Sequence, residues 1–252
     1  MTTWPLVTAS GAAVGALMGA FGVGGSSVAT PLLSLAGVPP LIAVASPLPG
    51  AIPGAVVAAR PYLRSGHARP KAAGWSLLGA VPATVAGALL SRVAGGPALL
   101  VASGVVLVVV GGRVLLPIDD AARETGTRRR QNRPLLVTCA AGVGLFTGLL
   151  ANGGGFLLMP LYLLVFGLRM RQAVGTSLLV IAVLSVPTLA THWALGHVDW
   201  AVSVQFAAGL LPASALGAHW SSRFAAGSQR RAFGWFLITF GAAFTLYRLL
   251  SA

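Results

Sequence analysis

The sequence predicts an all-α polytopic membrane protein made of two inverted-topology repeats, each of about five hydrophobic segments, with short or broken helices near the bilayer midplane. Three observations predict it. Hydrophobic residues make up 56% of the 252 residues and charged residues 8%, at a mean hydropathy of +0.85, which leaves too little polar material to coat a water-soluble globule. A glycine-rich stretch, Gly22-Val-Gly-Gly-Ser-Ser-Val-Ala-Thr-Pro31, returns half a chain later as Ala151-Asn-Gly-Gly-Gly-Phe-Leu-Leu-Met-Pro160. The basic residues, finally, gather in alternate gaps between apolar runs.

A span needs roughly 20 apolar residues, and fewer where it is short, buried or re-entrant. In chain order the first half offers segments at 5–21, 28–38, 40–60, 72–91 and 97–116. The first of these follows Met1-Thr-Thr-Trp-Pro5, which lacks the basic leader of a cleaved signal peptide, so it is expected to remain as a span. The stretch from Pro117 to Pro134 is charged and without apolar periodicity, the mark of a solvated linker. The second half repeats the plan at 135–151, 156–168, 172–194, 199–221 and 232–250. The expected organisation is therefore a first repeat over 1–116, a linker over 117–134 and an inverted second repeat over 135–252, together one membrane domain.

The repeat rests on register as well as hydropathy. A shift of 129 residues carries Gly15, Gly19, Gly24, Gly25 and Pro31 onto Gly144, Gly148, Gly153, Gly154 and Pro160. After one inserted residue the shift is 130, and Ala43-Val-Ala-Ser-Pro-Leu48 meets Ala173-Val-Gly-Thr-Ser-Leu178 while Gly66-His67 meets Gly196-His197. Five segments per repeat is an odd number, so the second copy enters the membrane from the opposite side. Charge supports this. With the linker in the cytoplasm, the gaps holding Arg60, Arg64, Arg69 and Lys71, then Arg169 and Arg171, then Arg223, Arg230 and Arg231, all fall inside, as the positive-inside rule requires. Both termini then face outward. The net charge of +13 thus reports topology and forms no stripe for a nucleic acid. Only one of the 17 basic residues is lysine, the balance of a GC-rich bacterial genome, which points to the bacterial cytoplasmic membrane.

The chemistry is that of neutral dipoles. Asp119, Asp120 and Glu124 belong to the linker and Asp199 to an outer gap, so no span carries the carboxylate that a proton relay or cation site near the bilayer centre would use. An anion would have to be held by peptide N–H groups, hydroxyls and amides. Gly24, Gly25, Ser26 and Ser27 precede one short helix, and Asn152, Gly153, Gly154 and Gly155 another, whose free N–H groups and macrodipole attract negative charge. Either Ser27 caps the first of these helices, or Thr30 does with Pro31 at the first helical position. Ser46, in the broken run before Pro47, and its counterparts Thr176 and Ser177 could complete the shell. Gly11, Gly15, Gly19, Gly144 and Gly148 have the spacing of close helix packing.

Cys139 reads as an apolar filler, and a lone cysteine allows neither an intrachain disulfide nor a multi-cysteine metal site. His67 and His197 fall in turns, and His192 and His219, near span ends, are second-rank candidates for proton coupling. The six tryptophans near segment ends read as an interfacial belt. Walker A, Gly-x-Ser-x-Gly, His-Glu-x-x-His and Cys-x-x-Cys patterns are all missing, so no enzyme and no cofactor is expected. The expected partners are a small anion and the lipid bilayer. A second copy of the chain is compatible with the pattern, and no coupling ion is assigned.

The run Gly15 to Pro31, repeated as Gly144 to Pro160 and followed by Ala173-Val-Gly-Thr-Ser177, resembles the TauE/SafE family of sulfite exporter-like permeases over nearly the whole chain. The resemblance implies a carrier for a sulfur oxyanion or organosulfonate working by alternating access. The alternatives are a non-transporting scaffold or assembly factor, and an intramembrane enzyme using Cys139 or a histidine. The copies differ, Gly-Gly-Ser-Ser and Ser-Pro in the first against Gly-Gly-Gly-Phe and Thr-Ser in the second, so the half-sites are expected to be unequal.

Overall fold

The computed structural model describes residues 4–94, 97–116, 133–149, 155–194, 196–221 and 223–250, and every regular element among them is helical. The first half contributes α1 (Trp4–Phe21), α2 (Ser26–Leu35), α3 (Pro40–Ala45), α4 (Leu48–Arg64), α5 (Pro70–Ala94) and α6 (Pro97–Leu115). The second contributes α7 (Arg133–Leu149), α8 (Gly155–Pro160) continued by a π-helical turn (Leu161–Val165), α9 (Met170–Ala194), α10 (Trp200–Ser221) and α11 (Ala226–Leu250). Among the described residues, four stretches are long and apolar enough to cross a membrane: Trp4–Phe21, Leu41–Arg64, Met170–Ala194 and Trp200–Ser221.

Local chemistry sets the boundaries. Gly22, at φ +64°, ends α1 in the left-handed conformation that costs glycine least, its N–H still bonded to the Met18 carbonyl at 2.8 Å. Gly37 and Gly167, and likewise Gly66 and Gly196, are left-handed in pairs 130 residues apart. Pro47 separates α3 from α4, because a proline there cannot donate to the carbonyl of Ala43 and its ring crowds that turn. The counterpart of Pro47 is Ser177, and α9 runs through it unbroken. Both expected caps are corrected: α2 starts at Ser26 with Gly25 in the capping position, so Ser26 and Ser27 belong to its first turn instead of preceding it, and Thr30 and Pro31 lie inside it. The last helix begins at Ala226 rather than 232, because its polar first turn is helical too.

The packing follows the same register. Gly11, Gly15 and Gly19 bring α1 so close to α10 that an added Cβ would strike the carbonyl oxygens of Phe206, Leu210 and Ser214 in turn. The ascending order of both series makes the two helices parallel. On the other flank, Gly144 of α7 meets Ala80 of α5 as Gly15 meets Leu210, and Gly79 meets Val137 as Gly209 meets Thr8. Exchange of the halves maps each contact onto its mate. Between these flanks α4 packs on α9, and α6 packs on α11 through Gly111 and Gly234. Met18, Leu33, Leu178, Phe206 and Leu210 are among the side chains that fill the centre.

Three basic gaps meet at one end of the bundle. Arg69 N–H donates to Thr176 Oγ1 at 3.1 Å, and Arg171 Nη2 donates to the Phe224 carbonyl at 3.2 Å. At this basic end α1, α4 and α10 finish and α5, α9 and α11 start. Asp199, Trp193 and Trp200 lie at the opposite end. Trp4, Trp75, Trp193, Trp200, Trp220 and Trp235 are all exposed on the outside of the bundle. That exposure is what anchoring side chains in an aromatic belt show.

Candidate functional site

The first glycine loop folds back into the bundle. After α1 reaches the basic end, Gly22 to Gly25 turn inward and are buried. Gly25 faces Val14 and Met18 of α1 and Leu210 of α10, so closely that an added Cβ would lie 3.0 Å from Val14 Cγ1 and 3.2 Å from Met18 Cε. Val14 and Leu210 sit midway along their helices, so α2 starts at mid-depth. No side chain caps it at Gly25. The backbone of Ser26 and Ser27 opens the helix, while their side chains lie outside the described part of the structure.

The remaining candidates divide. Ser177 Oγ lies 2.9 Å from the Gly22 carbonyl and 2.9 Å from the Val174 carbonyl, so its one proton holds the loop and is not offered to a ligand. Thr176 and Ser46 are not brought together. Thr176 donates to the Gln172 carbonyl and accepts from Arg69 N–H at the basic end. Ser46, fully buried, accepts from Asp199 N–H at 3.1 Å at the opposite end. The two contacts are register mates, each tying a helix of one half to the gap before a helix of the other. Gly155 starts α8, while Asn152, Gly153 and Gly154 lie outside the described residues.

A cluster that sequence reasoning passed over surrounds the first loop. Tyr62 Oη, near the end of α4, lies 3.0 Å from both the Gly19 carbonyl and Ser221 Oγ. Gln229 Nε2, in the first turn of α11, donates to the Ala20 carbonyl and to Ser221 Oγ at 2.5 and 2.6 Å. These bonds satisfy the last carbonyls of α1, which a helix end otherwise leaves open. A signal existed in the register, because Tyr62, Ser177 and Gln229 correspond to His192, Pro47 and Leu99.

The histidines remain peripheral. His67 Nδ1 lies 2.6 Å from Ser65 Oγ, and His192 Nδ1 lies 3.4 Å from His197 Nδ1 in the α9–α10 turn. His219 approaches Arg223 on the exposed surface at 3.0 Å. Cys139 is half-buried, more open than an apolar filler requires. No group of three or more potential metal ligands occurs among the described residues.

The profile of the sulfite exporter TauE/SafE family matches residues 7–244. A curated "probable membrane transporter protein" of Xylella fastidiosa (strain 9a5c) is 30% identical over 126 residues, which is 46% of this chain and 48% of that protein. The match thus spans about half the relative's length. No solved structure matches. The profile covers both glycine stretches and the helices packed around them, and the chain belongs to the sulfite exporter TauE/SafE family.

Proposed function

We propose that the chain is a multi-pass transporter of the bacterial cytoplasmic membrane that carries a small anion, a sulfur oxyanion or organosulfonate such as sulfite. A site near mid-depth would be exposed alternately to each face as one half moves against the other. The linker over 117–134 is cytoplasmic in this reading and both termini are outside. The observation that carries it is the start of α2 at Gly25, uncapped by any side chain and level with the middle of α1 and α10. Its first N–H groups have no partner within the helix, and its dipole amounts to roughly half a positive charge. Among the described residues the single carboxylate, Asp199, stands outside the helices, so nothing acidic opposes an anion there. The names of the family and of the Xylella relative, both of transport proteins, support the same reading.

The test is uptake into proteoliposomes. Gly25→Ala adds one methyl against side-chain rather than backbone atoms, Val14 Cγ1 and Met18 Cε, which need shift only a little, so the fold is expected to hold while sulfite uptake falls at least about tenfold, equivalent to some 1.4 kcal/mol of lost binding. The unaltered protein should also gain thermal stability with one of sulfite, thiosulfate, sulfate or a sulfonate. Full uptake by the variant overturns the site. No thermal response to any of these anions, together with no uptake by the unaltered protein, indicates a non-transporting scaffold.

A further inference from the structure

We propose that Tyr62, Ser177, Ser221 and Gln229 form a one-sided latch that holds the basic end of the bundle shut over the first glycine loop. The latch joins the halves. Its acceptors are backbone carbonyls of the first half, Gly19, Ala20 and Gly22, and three of its four side chains come from the second half. All four side chains are buried, Gln229 being 4% exposed. Any motion of one half against the other at this end must break several of these bonds together.

The opposite end cannot form the same device. The register replaces Tyr62 by His192, Ser177 by Pro47 and Gln229 by Leu99, and keeps only the serine, with Ser91 as the mate of Ser221. Proline and leucine offer no side-chain donor, and His192 approaches His197 of its own half. Within the latch, Gln229 Oε1 is buried with no hydrogen-bond partner among the described residues. Reversing the amide would turn that oxygen toward the Ala20 carbonyl, so the orientation is the one that the neighbours favour. The latch therefore closes one end.

This inference rests on the alternating-access reading, but its test needs no substrate, so a failure of transport and a failure of the latch can be told apart. Val23, buried in the loop behind the latch, is replaced by cysteine in a Cys139→Ala background. Membrane-impermeant maleimide is then applied to vesicles of each orientation. Tyr62→Phe, which removes one oxygen, and Gln229→Leu, which copies the opposite end, should each raise the labelling rate from the basic end about three- to tenfold, the worth of a hydrogen bond. Labelling from the other face should stay unchanged. Thr84→Val serves as the control, because the Thr84 hydroxyl bonds only its own helix at Ala80, and it should leave both rates alone. No increase in either latch variant, an equal increase from both faces, or an equal increase with Thr84→Val overturns the latch.

Discussion

The two ends of the bundle share one construction and differ in how it is finished. At each, a buried hydroxyl of one half receives a backbone N–H of the other: Thr176 from Arg69 at the basic end, Ser46 from Asp199 at the opposite end. At the basic end α9 runs unbroken past Thr176, and four side chains tie down the end of α1 and the first residue of the loop after it. At the opposite end Pro47 breaks the helix just after Ser46, and three of the four tying residues are replaced. What the halves share is the frame that holds the helices together, and one thing they do not share is the set of side chains beside the first glycine loop. A carrier assembled from two equivalent frames would need such a difference to make its two faces behave differently.

The sharpest way to break this comparison is to attack the frame at register mates. Gly15→Ala and Gly144→Ala each push a methyl into a backbone carbonyl of the facing helix, of Leu210 and Ala80 respectively. Backbone cannot swing aside as a side-chain tip does, so each should cost about 3 kcal/mol, the upper part of the usual overpacking range. Unfolding of the purified protein in mixed micelles measures both. Comparable losses are expected. A silent Gly144→Ala would mean that the α5–α7 flank is not the equivalent of the α1–α10 flank.

Most of that frame was legible in the sequence. Hydropathy gave the segments, and register gave the paired glycines, whose packing role follows from their four-residue spacing on one helical face. Less legible was depth. Ser46 and Thr176 read as parts of one shell because they share a register position, with Ser177 beside them, yet that position lies at opposite ends of the bundle in the two halves. A one-dimensional alignment of the two halves brings together residues that the fold separates, as it does Ser46 and Thr176. Tyr62, Ser221 and Gln229 stayed hidden for another reason: each looks like an ordinary residue of a helix end, and their meeting depends on three helices distant in sequence. The start of α11 was missed because Ser228-Gln-Arg-Arg231 has a loop's composition, although a helix can project a polar first turn beyond its apolar stretch.

Smaller effects should come from the hydroxyl ties. Ser46→Ala and Thr176→Ala each strip the acceptor from a backbone N–H, Asp199 in one case and Arg69 in the other. Each loss should lie near 1–3 kcal/mol, the cost of leaving such a donor unpaired. Because the sites occupy opposite ends, the double variant should equal the sum within about 0.5 kcal/mol. A coupling well beyond that would show that the ends communicate through the α4–α9 pair, and would turn two separate ties into one linked element.

The smallest expected effect tests the finish rather than the frame. Asp199 Oδ1 accepts from the N–H groups of Ala201 and Val202 at 2.8 and 3.1 Å, which makes it the N-cap of α10. Its register mate Arg69 precedes α5, where a guanidinium has no acceptor to offer those N–H groups. Asp199→Ala should therefore cost about 1 kcal/mol, typical of a lost N-cap, while Arg69→Ala should change stability by less than about 0.5 kcal/mol, because its backbone N–H still reaches Thr176. Asp199→Asn retains a capping oxygen and should recover most of the loss. If Arg69→Ala proves as costly as Asp199→Ala, the arginine side chain holds the basic end through a contact of its own, and the two gaps are more alike in strength than their chemistry implies.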